Sequence, residues 1–460
     1  MRKLLIIILL LGTHALHAQE ELSFEMYMDW VRSYHPVAKL ADINLRFGEQ
    51  ELRAARGGFD PKIFADYSTK RFKNTEYYDT RVGGVGIPTW GGVELKGILE
   101  QNSGAFLNPE QTVPSDGLFA LGASVNLGQG LFIDNRRAAL RQAQIFQEAT
   151  KAERQQILND LYLDATDAYW KWAADYNNLN VFEEGLRLAE ERFEMVKESF
   201  IQGDFPAIDT VEAYTQVMDR KFSLQTAQIN FFRTTQLINT FLWDENEEPI
   251  DLVETIFPEN VLDPMLYDYS KESLRQYVLS HPELQLKDFD IATTEVERRF
   301  KADLLKPVVR VNYNFLTETI NPIQTSPFLE NDYKMGLTFA MPLFLRKERG
   351  SLGFTKAKLD FKNYERELKL FQLKTKLEGE IFNFETVDEQ LVVFTNNVSG
   401  LERLLEGEVM RFEMGESSLF LVNAREVSLF NAQVTLNNLA ARRKTAYAKM
   451  LNAAGLGFDE

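Results

Sequence analysis

Two hydrophobic rhythms run along the chain, in separate blocks. Val309, Val311, Tyr313 and Phe315 alternate with Arg310, Asn312 and Asn314, and Tyr333, Met335, Leu337, Phe339 and Met341 alternate with Lys334, Gly336, Thr338 and Ala340. This strict period of two, held over about seven to nine residues, predicts strands with one apolar face and one polar or small face, of a length that suits a tilted membrane strand. Phe119, Leu121, Ala123, Val125 and Leu127 repeat it against Ala120, Gly122, Ser124 and Asn126, and Ile63, Ala65 and Tyr67 do so less cleanly. A soluble half-buried sheet gives the same alternation. Aromatic residues at or near the strand ends (Tyr67, Tyr77, Tyr78, Trp90, Tyr313, Phe315, Phe328, Tyr333) fit an interfacial girdle instead.

The second rhythm is helical. No proline falls between Asn135 and Phe200, and Ile157, Leu161, Ala165, Ala168 and Trp172 recur at spacings of three and four. One helix, or two nearly coaxial ones, of about 66 residues would reach roughly 100 Å. Later Ala357, Phe361, Tyr364, Leu368 and Phe371 keep a coiled-coil rhythm. Gly203 and Gly415 close these helices, and Pro206 and Ser418 open return helices, so each long helix becomes an antiparallel hairpin with its tip at the glycine.

The blocks occur twice. Pro36 to Pro61 and Pro282 to Pro307 are each 25 residues apart, with a charge-rich helical stretch between them and an alternating strand after. Gly122, Phe132 and Arg137 correspond to Gly336, Phe344 and Arg349, and the gap from Gly122 to Gly203 is 81 where that from Gly336 to Gly415 is 79. Order and spacing held over about 200 residues indicate an internal duplication. We place the first copy at 19–245, an inter-repeat linker at 246–267 and the second copy at 268–460.

The N-terminal residues Met1-Arg2-Lys3, the apolar run Leu4 to Leu11 and the stretch ending at Ala18 predict a secretory signal peptide at 1–18. No other stretch offers about 18 uncharged apolar residues, so a membrane span, if there is one, must be a barrel. Four strands, or six if Gly91 to Gln101 adds a pair, fall short of the roughly eight that close a membrane barrel, so the barrel must be shared between subunits. Residues 72–117 form either an enlarged extracellular loop or extra strands.

The absence of cysteine removes disulfides, thiolate metal sites and a lipidated N-terminus. His35 and His281 are the two histidines beyond the signal, and neither has a metal-ligand spacing. Lys and Arg total 51 against 68 Asp and Glu; without Arg2 and Lys3 this is 49 minus 68, about −19, which disfavours nucleic acid as a partner.

The repeated proline-to-proline unit, together with the tips Gly203-Asp204-Phe205-Pro206-Ala207-Ile208-Asp209-Thr210-Val211-Glu212-Ala213 and Gly415-Glu416-Ser417-Ser418-Leu419-Phe420-Leu421-Val422-Asn423-Ala424-Arg425, resembles the TolC family of outer-membrane efflux proteins over nearly the whole chain after the signal. The resemblance implies an α+β, mostly α fold: long antiparallel coiled-coil helices forming a periplasmic α-barrel, and a β-barrel shared by a homotrimer with about four strands per chain. It implies no enzymatic activity and no cofactor. It also implies an outer-membrane channel for efflux or type I secretion, docked through a periplasmic adaptor to an inner-membrane pump of RND, ABC or MFS type.

Gly203, Asp204, Pro206, Gly415, Glu416 and Ser418 are the adaptor contacts carried over. The family's acidic constriction just past the second-copy glycine is replaced here by Leu421 and Ala424, whereas the first copy keeps Asp209 and Glu212, which could form an acidic periplasmic mouth or be ordinary helix-surface carboxylates. A periplasmic coiled-coil adaptor or scaffold without a pore is the alternative reading, and an envelope hydrolase built on a carboxylate pair is a remoter one for which no convergent pair is found.

Overall fold

The computed structural model describes residues 20–253, 255–318 and 332–457; the expected signal peptide at 1–18 and Phe328 lie outside them. In chain order the elements are β1 (Glu20–Leu22), α1 (Phe24–Tyr34), α2 (Pro36–Arg56), β2 (Lys62–Phe72), β3 (Thr75–Pro88), β4 (Val93–Ser103), β5 (Leu118–Asn126), α3 (Asn135–Gln202), α4 (Ala207–Asn239), β6 (Ile256–Pro258), α5 (Lys271–Tyr277), α6 (Pro282–Asp303), β7 (Val308–Thr317), β8 (Tyr333–Ala340), α7 (Arg346–Glu413) and α8 (Leu419–Ala454). α3 and α7 are single helices of 68 residues each. No helix among the described residues is long and apolar enough to cross a membrane.

The residues divide into two compact units, each drawing on both halves of the chain. The first comprises residues up to Asp42, Arg154–Pro282 and Leu370 onward, and is helical apart from the short parallel pair β1–β6. Its core joins Tyr27, Met28 and Val31 of α1 to Leu161, Ala165, Ala168, Tyr169 and Trp172 of α3, with Ile238 of α4 and Ala440 of α8. The alanines keep that face of α3 flat enough for neighbouring helices to approach. The large rings fill the remaining space and satisfy their polar tips: Tyr169 Oη donates to the Leu22 carbonyl at 2.6 Å and Trp172 Nε1 to Thr235 Oγ1 at 2.9 Å. The expected helical stripe holds from Leu161 onward, since Leu161, Ala165, Ala168 and Trp172 are all buried, whereas Ile157 is half-buried.

The repeated His-Pro pairs start helices. His35 and His281 hold extended backbone with ψ of 133° and 134°, the conformation proline imposes on its predecessor, and Pro36 and Pro282 open α2 and α6, where a missing N–H costs nothing. His35 Nδ1 also accepts from the Val37 N–H at 3.2 Å, and burial lowers the imidazole's pKa.

The second unit, Ile43–Glu153 and Glu283–Lys369, is built on a six-stranded antiparallel sheet in the order β2-β3-β4-β5-β7-β8. The expectation of about four strands per chain is therefore corrected to the alternative of six: among the described residues the sheet has six strands, and the stretch 72–117, open between a loop and extra strands in the sequence, supplies the extra pair. A tight turn at Thr89–Gly92 makes the hairpin, with Gly92 at φ 81° and the Thr89 N–H donating to the Val93 carbonyl at 2.9 Å. β3 and β4 do not cap a loop; they separate β2 from β5.

Register carries one apolar face across every strand. Ile63 lies opposite Val85, Ile87 opposite Leu95, Leu99 opposite Phe119, Leu121 opposite Phe315, and Val311 opposite Leu337. The other face carries Lys62, Asp66, Thr80, Glu94, Lys96, Ser124, Arg310, Asn312, Lys334 and Thr338, because successive side chains on a strand point to opposite sides. Gly84 makes room on the polar face: a Cβ there would come within 2.8 Å of the Phe64 ring and 2.5 Å of the Gly97 carbonyl.

Candidate functional site

The sequence points to the two helix tips, and both lie within the helical unit. α3 ends at Gln202, and Gly203 follows at φ 88°; its N–H donates to the Phe200 carbonyl at 3.0 Å, and that of Asp204 to the Ser199 carbonyl at 2.9 Å. α7 ends in the same way, with Gly415 at φ 75°, its N–H on the Phe412 carbonyl at 2.9 Å, and the Glu416 N–H on the Arg411 carbonyl at 2.8 Å. This pair of bonds satisfies the last helical carbonyls and needs a left-handed residue at the turn, which glycine adopts without strain. The return helices begin differently. Ser418 caps α8 by accepting from the Leu421 N–H at 3.4 Å, whereas Pro206 caps α4 in extended backbone with no side-chain bond.

Gly203, Asp204, Pro206, Gly415, Glu416 and Ser418 are all exposed. The two turns are brought together by Phe205 and Phe412, whose rings stack at 5.9 Å over a small core of Val196, Ala213 and Leu419. Asp209 lies half-buried in the first turn of α4, where the helix dipole favours a carboxylate.

Glu212 is not a solitary carboxylate. Its Oε1 accepts from Asn423 Nδ2 at 3.2 Å, Asn423 Oδ1 accepts from Arg192 Nη1 at 3.2 Å, and the same guanidinium grips Glu426 with both nitrogens, one of them at 2.7 Å. Glu426 is 3% exposed and has Arg220 on its other side at 4.0 Å. Arg220 lies over the Phe430 ring at 4.7 Å, and burial lowers its pKa. The second hairpin has its own polar lock: Glu408, 6% exposed, accepts from Ser417 Oγ at 2.5 Å, with Arg425 at 3.7 Å.

Sequence reasoning missed Arg192, Arg220, Glu408, Asn423 and Glu426. The signal was present on α8, where Leu419, Val422, Asn423, Glu426, Leu429 and Phe430 follow one helical stripe and two of the six are polar. A charge at an inward position of such a stripe implies a buried partner on another helix. Leu421 and Ala424, the positions expected to be acidic by family likeness, are exposed.

No protein-family profile matches the chain, and no curated protein sequence does. Its fold nevertheless matches solved outer-membrane channels. The Campylobacter jejuni CmeC outer membrane channel superposes with a TM-score of 0.67 at 14% identity, covering 95% of this chain and 86% of that one. VceC, an outer membrane protein of Vibrio cholerae, gives 0.66 at 15% identity over 94% and 96%. The open state of the Neisseria gonorrhoeae MtrE outer membrane channel gives 0.67 at 12% identity over 97% and 94%. The chain has the mostly helical α+β fold of these TolC-family channels.

Proposed function

We propose that the chain is one subunit of an outer-membrane channel that conducts solutes from the periplasm to the exterior, as the exit duct of a tripartite efflux or type I secretion system. The observation that carries this reading is a sheet with one apolar face that runs across all six strands and gives way to polar residues only at one end, and, among the described residues, two unpaired edges, β2 and β8. In water such a face would drive aggregation; in hydrocarbon it is at home, but the open edges are not, because nothing there can hydrogen-bond their N–H and C=O groups. Cyclic closure by further copies removes both edges. This supports a location in the outer membrane, with the helices extending into the periplasm and the lipid facing the apolar side.

The helices ask for the same neighbours. Ile208, Val211, Met218, Phe222, Ile229 and Phe232 follow the three-four spacing of a coiled-coil seam on α4, and each is at least 40% exposed in the single chain. On α7, Phe354, Phe361, Tyr364 and Leu368 are likewise exposed. The coiled-coil rhythm of the second copy thus points away from the chain's own helices, and adjacent copies of a homotrimer are its natural cover. We further assign the two halves, 19–245 and 268–460, to one duplicated unit joined by 246–267.

The exposed tips at Gly203, Asp204, Pro206, Gly415, Glu416 and Ser418 are the proposed contacts for a periplasmic adaptor and, through it, an inner-membrane pump. Asp209 and Glu212 are the proposed acidic mouth. Neither reaction chemistry nor a cofactor enters this reading.

The test is conductance of the purified protein in a planar bilayer, with oligomer mass measured in the same detergent. Stable trimers with discrete conductance, and a cation preference that falls in Asp209→Asn with Glu212→Gln, are the expected result. A soluble monomer without conductance overturns the channel and favours the pore-free scaffold.

A further inference from the structure

We propose that the inserted hairpin β3–β4 is part of the channel wall, so that three chains close a barrel of eighteen strands rather than the twelve the family resemblance implies. The inference rests on the channel reading above and goes beyond it by fixing which strands line the pore.

Three observations carry it. The hairpin cannot be an external loop resting on a four-stranded sheet, because β2 and β5 do not pair with one another: β2 pairs with β3 over its whole length, and β5 pairs with β4 from Leu118 to Val125. Removing β3 and β4 would leave two unsatisfied edges inside the wall. The apolar residues of the hairpin also stand level with those of its neighbours, Leu95 opposite Ala123 and Leu99 opposite Phe119, so it presents the same band to lipid. Leu95 and Leu121 are 44% and 48% exposed on that face, as befits side chains with a common outer medium. Finally, an even number of strands per chain leaves β2 and β8 running in opposite directions. β8 of one copy can therefore pair antiparallel with β2 of the next, and every pair around the ring keeps the same sense.

On this arrangement the polar face of the hairpin lines the pore. Glu94 and Lys96, paired at 3.6 Å, join Ser124, Asn126 and Arg310 of the adjoining strands, where the Arg310 Nε–H donates to Asn126 Oδ1 at 3.0 Å. Barrel diameter grows roughly in proportion to strand number, so eighteen strands give a bore about half again as wide as twelve, in the size range of barrels that hold an aqueous channel.

The absence of native cysteine makes the test direct. Four single variants are made: Leu95→Cys and Ala123→Cys on the apolar face, and Lys96→Cys and Ser124→Cys on the polar face, the second of each pair lying on β5 as a reference. Each is treated with a membrane-impermeant maleimide in outer-membrane vesicles, and with a charged thiosulfonate during bilayer recording. Because the thiolate is the reactive form and does not exist in hydrocarbon, Leu95→Cys and Ala123→Cys should label at least about tenfold more slowly than Lys96→Cys and Ser124→Cys. The thiosulfonate should reduce conductance only in the latter two. Protection of Ala123→Cys with rapid labelling of Leu95→Cys overturns the eighteen-strand wall alone. Rapid labelling of Ala123→Cys as well overturns the channel reading beneath it.

Discussion

Trp172 and Leu337 are both large and apolar, yet the first has no exposed surface and the second keeps 67% of its own. They belong to the two units of the chain, and the contrast holds between the core of the first and the sheet of the second, the exposed α4 seam of the helical unit standing apart from it. The helical unit packs Tyr27, Tyr169, Trp170 and Trp172 to near zero exposure, while the sheet unit leaves Ile63, Met335, Leu337 and Phe339 each more than 60% exposed. The difference is one of solvent. The helical unit makes its own apolar interior, as a water-facing bundle must, whereas the sheet has one apolar face that only an external medium or further copies can cover. The same amino-acid types therefore contribute to stability within the chain in one unit and to its placement in the other.

The strongest way to break this contrast is truncation of the buried ring. Trp172→Ala removes a fully buried side chain, its bond to Thr235 and its stacking on Phe231, and should cost about 3–5 kcal/mol, read as a lower midpoint of thermal unfolding of the helices. The corresponding change on the sheet is chemical rather than steric. Leu337→Arg puts a charge on the proposed lipid face and should cost about 2–4 kcal/mol of insertion near the bilayer midplane. It should reduce the amount of assembled protein in the membrane while leaving the helical unit's unfolding midpoint in detergent unchanged; an unaltered membrane yield would mean that this face does not meet lipid.

Charge inside the helical unit sharpens the contrast further. Lys444 is 4% exposed, 3.7 Å above the Trp170 ring and 3.9 Å from Glu259, and burial lowers its pKa to about 8 despite the acidic neighbours. Between about pH 8 and the ordinary lysine value the unfolded chain holds a proton that the folded chain has released, so stability contributed at this position rises with pH across that window and is lowest below it. The gain is no more than about 3 kcal/mol. Comparing the thermal midpoint of the wild type with that of Lys444→Met from pH 7.5 to 10.5 isolates the effect: the wild type should gain relative to the variant, and parallel curves would show that the ammonium is solvated.

Much of this contrast was legible in the sequence. β5, β7 and β8 are readable because apolar residues alternate with polar or small ones through most of each strand, and α3 because its alanines and Trp172 keep a helical spacing. β3 and β4 are not legible as strands because Asp79, Arg81 and Gln101 carry the nominally apolar face into polar residues at one end, and Gly83, Gly84 and Gly86 erase the alternation in the middle. The tips were legible since their glycines must adopt positive φ. The network around Glu426 was not, because Arg192, Arg220 and Glu426 are distant in sequence and meet only when α3, α4 and α8 pack.

The free edges β2 and β8 also have a genetic consequence. In the proposed ring each copy is closed by its neighbours on both sides, so a copy with a ruined β8 spoils the edge of an intact partner as well as its own. Mutations that block pairing at either edge but leave the chain foldable should therefore be dominant when expressed beside the normal gene, whereas mutations that unfold the helical core should be recessive, because those chains never reach the ring.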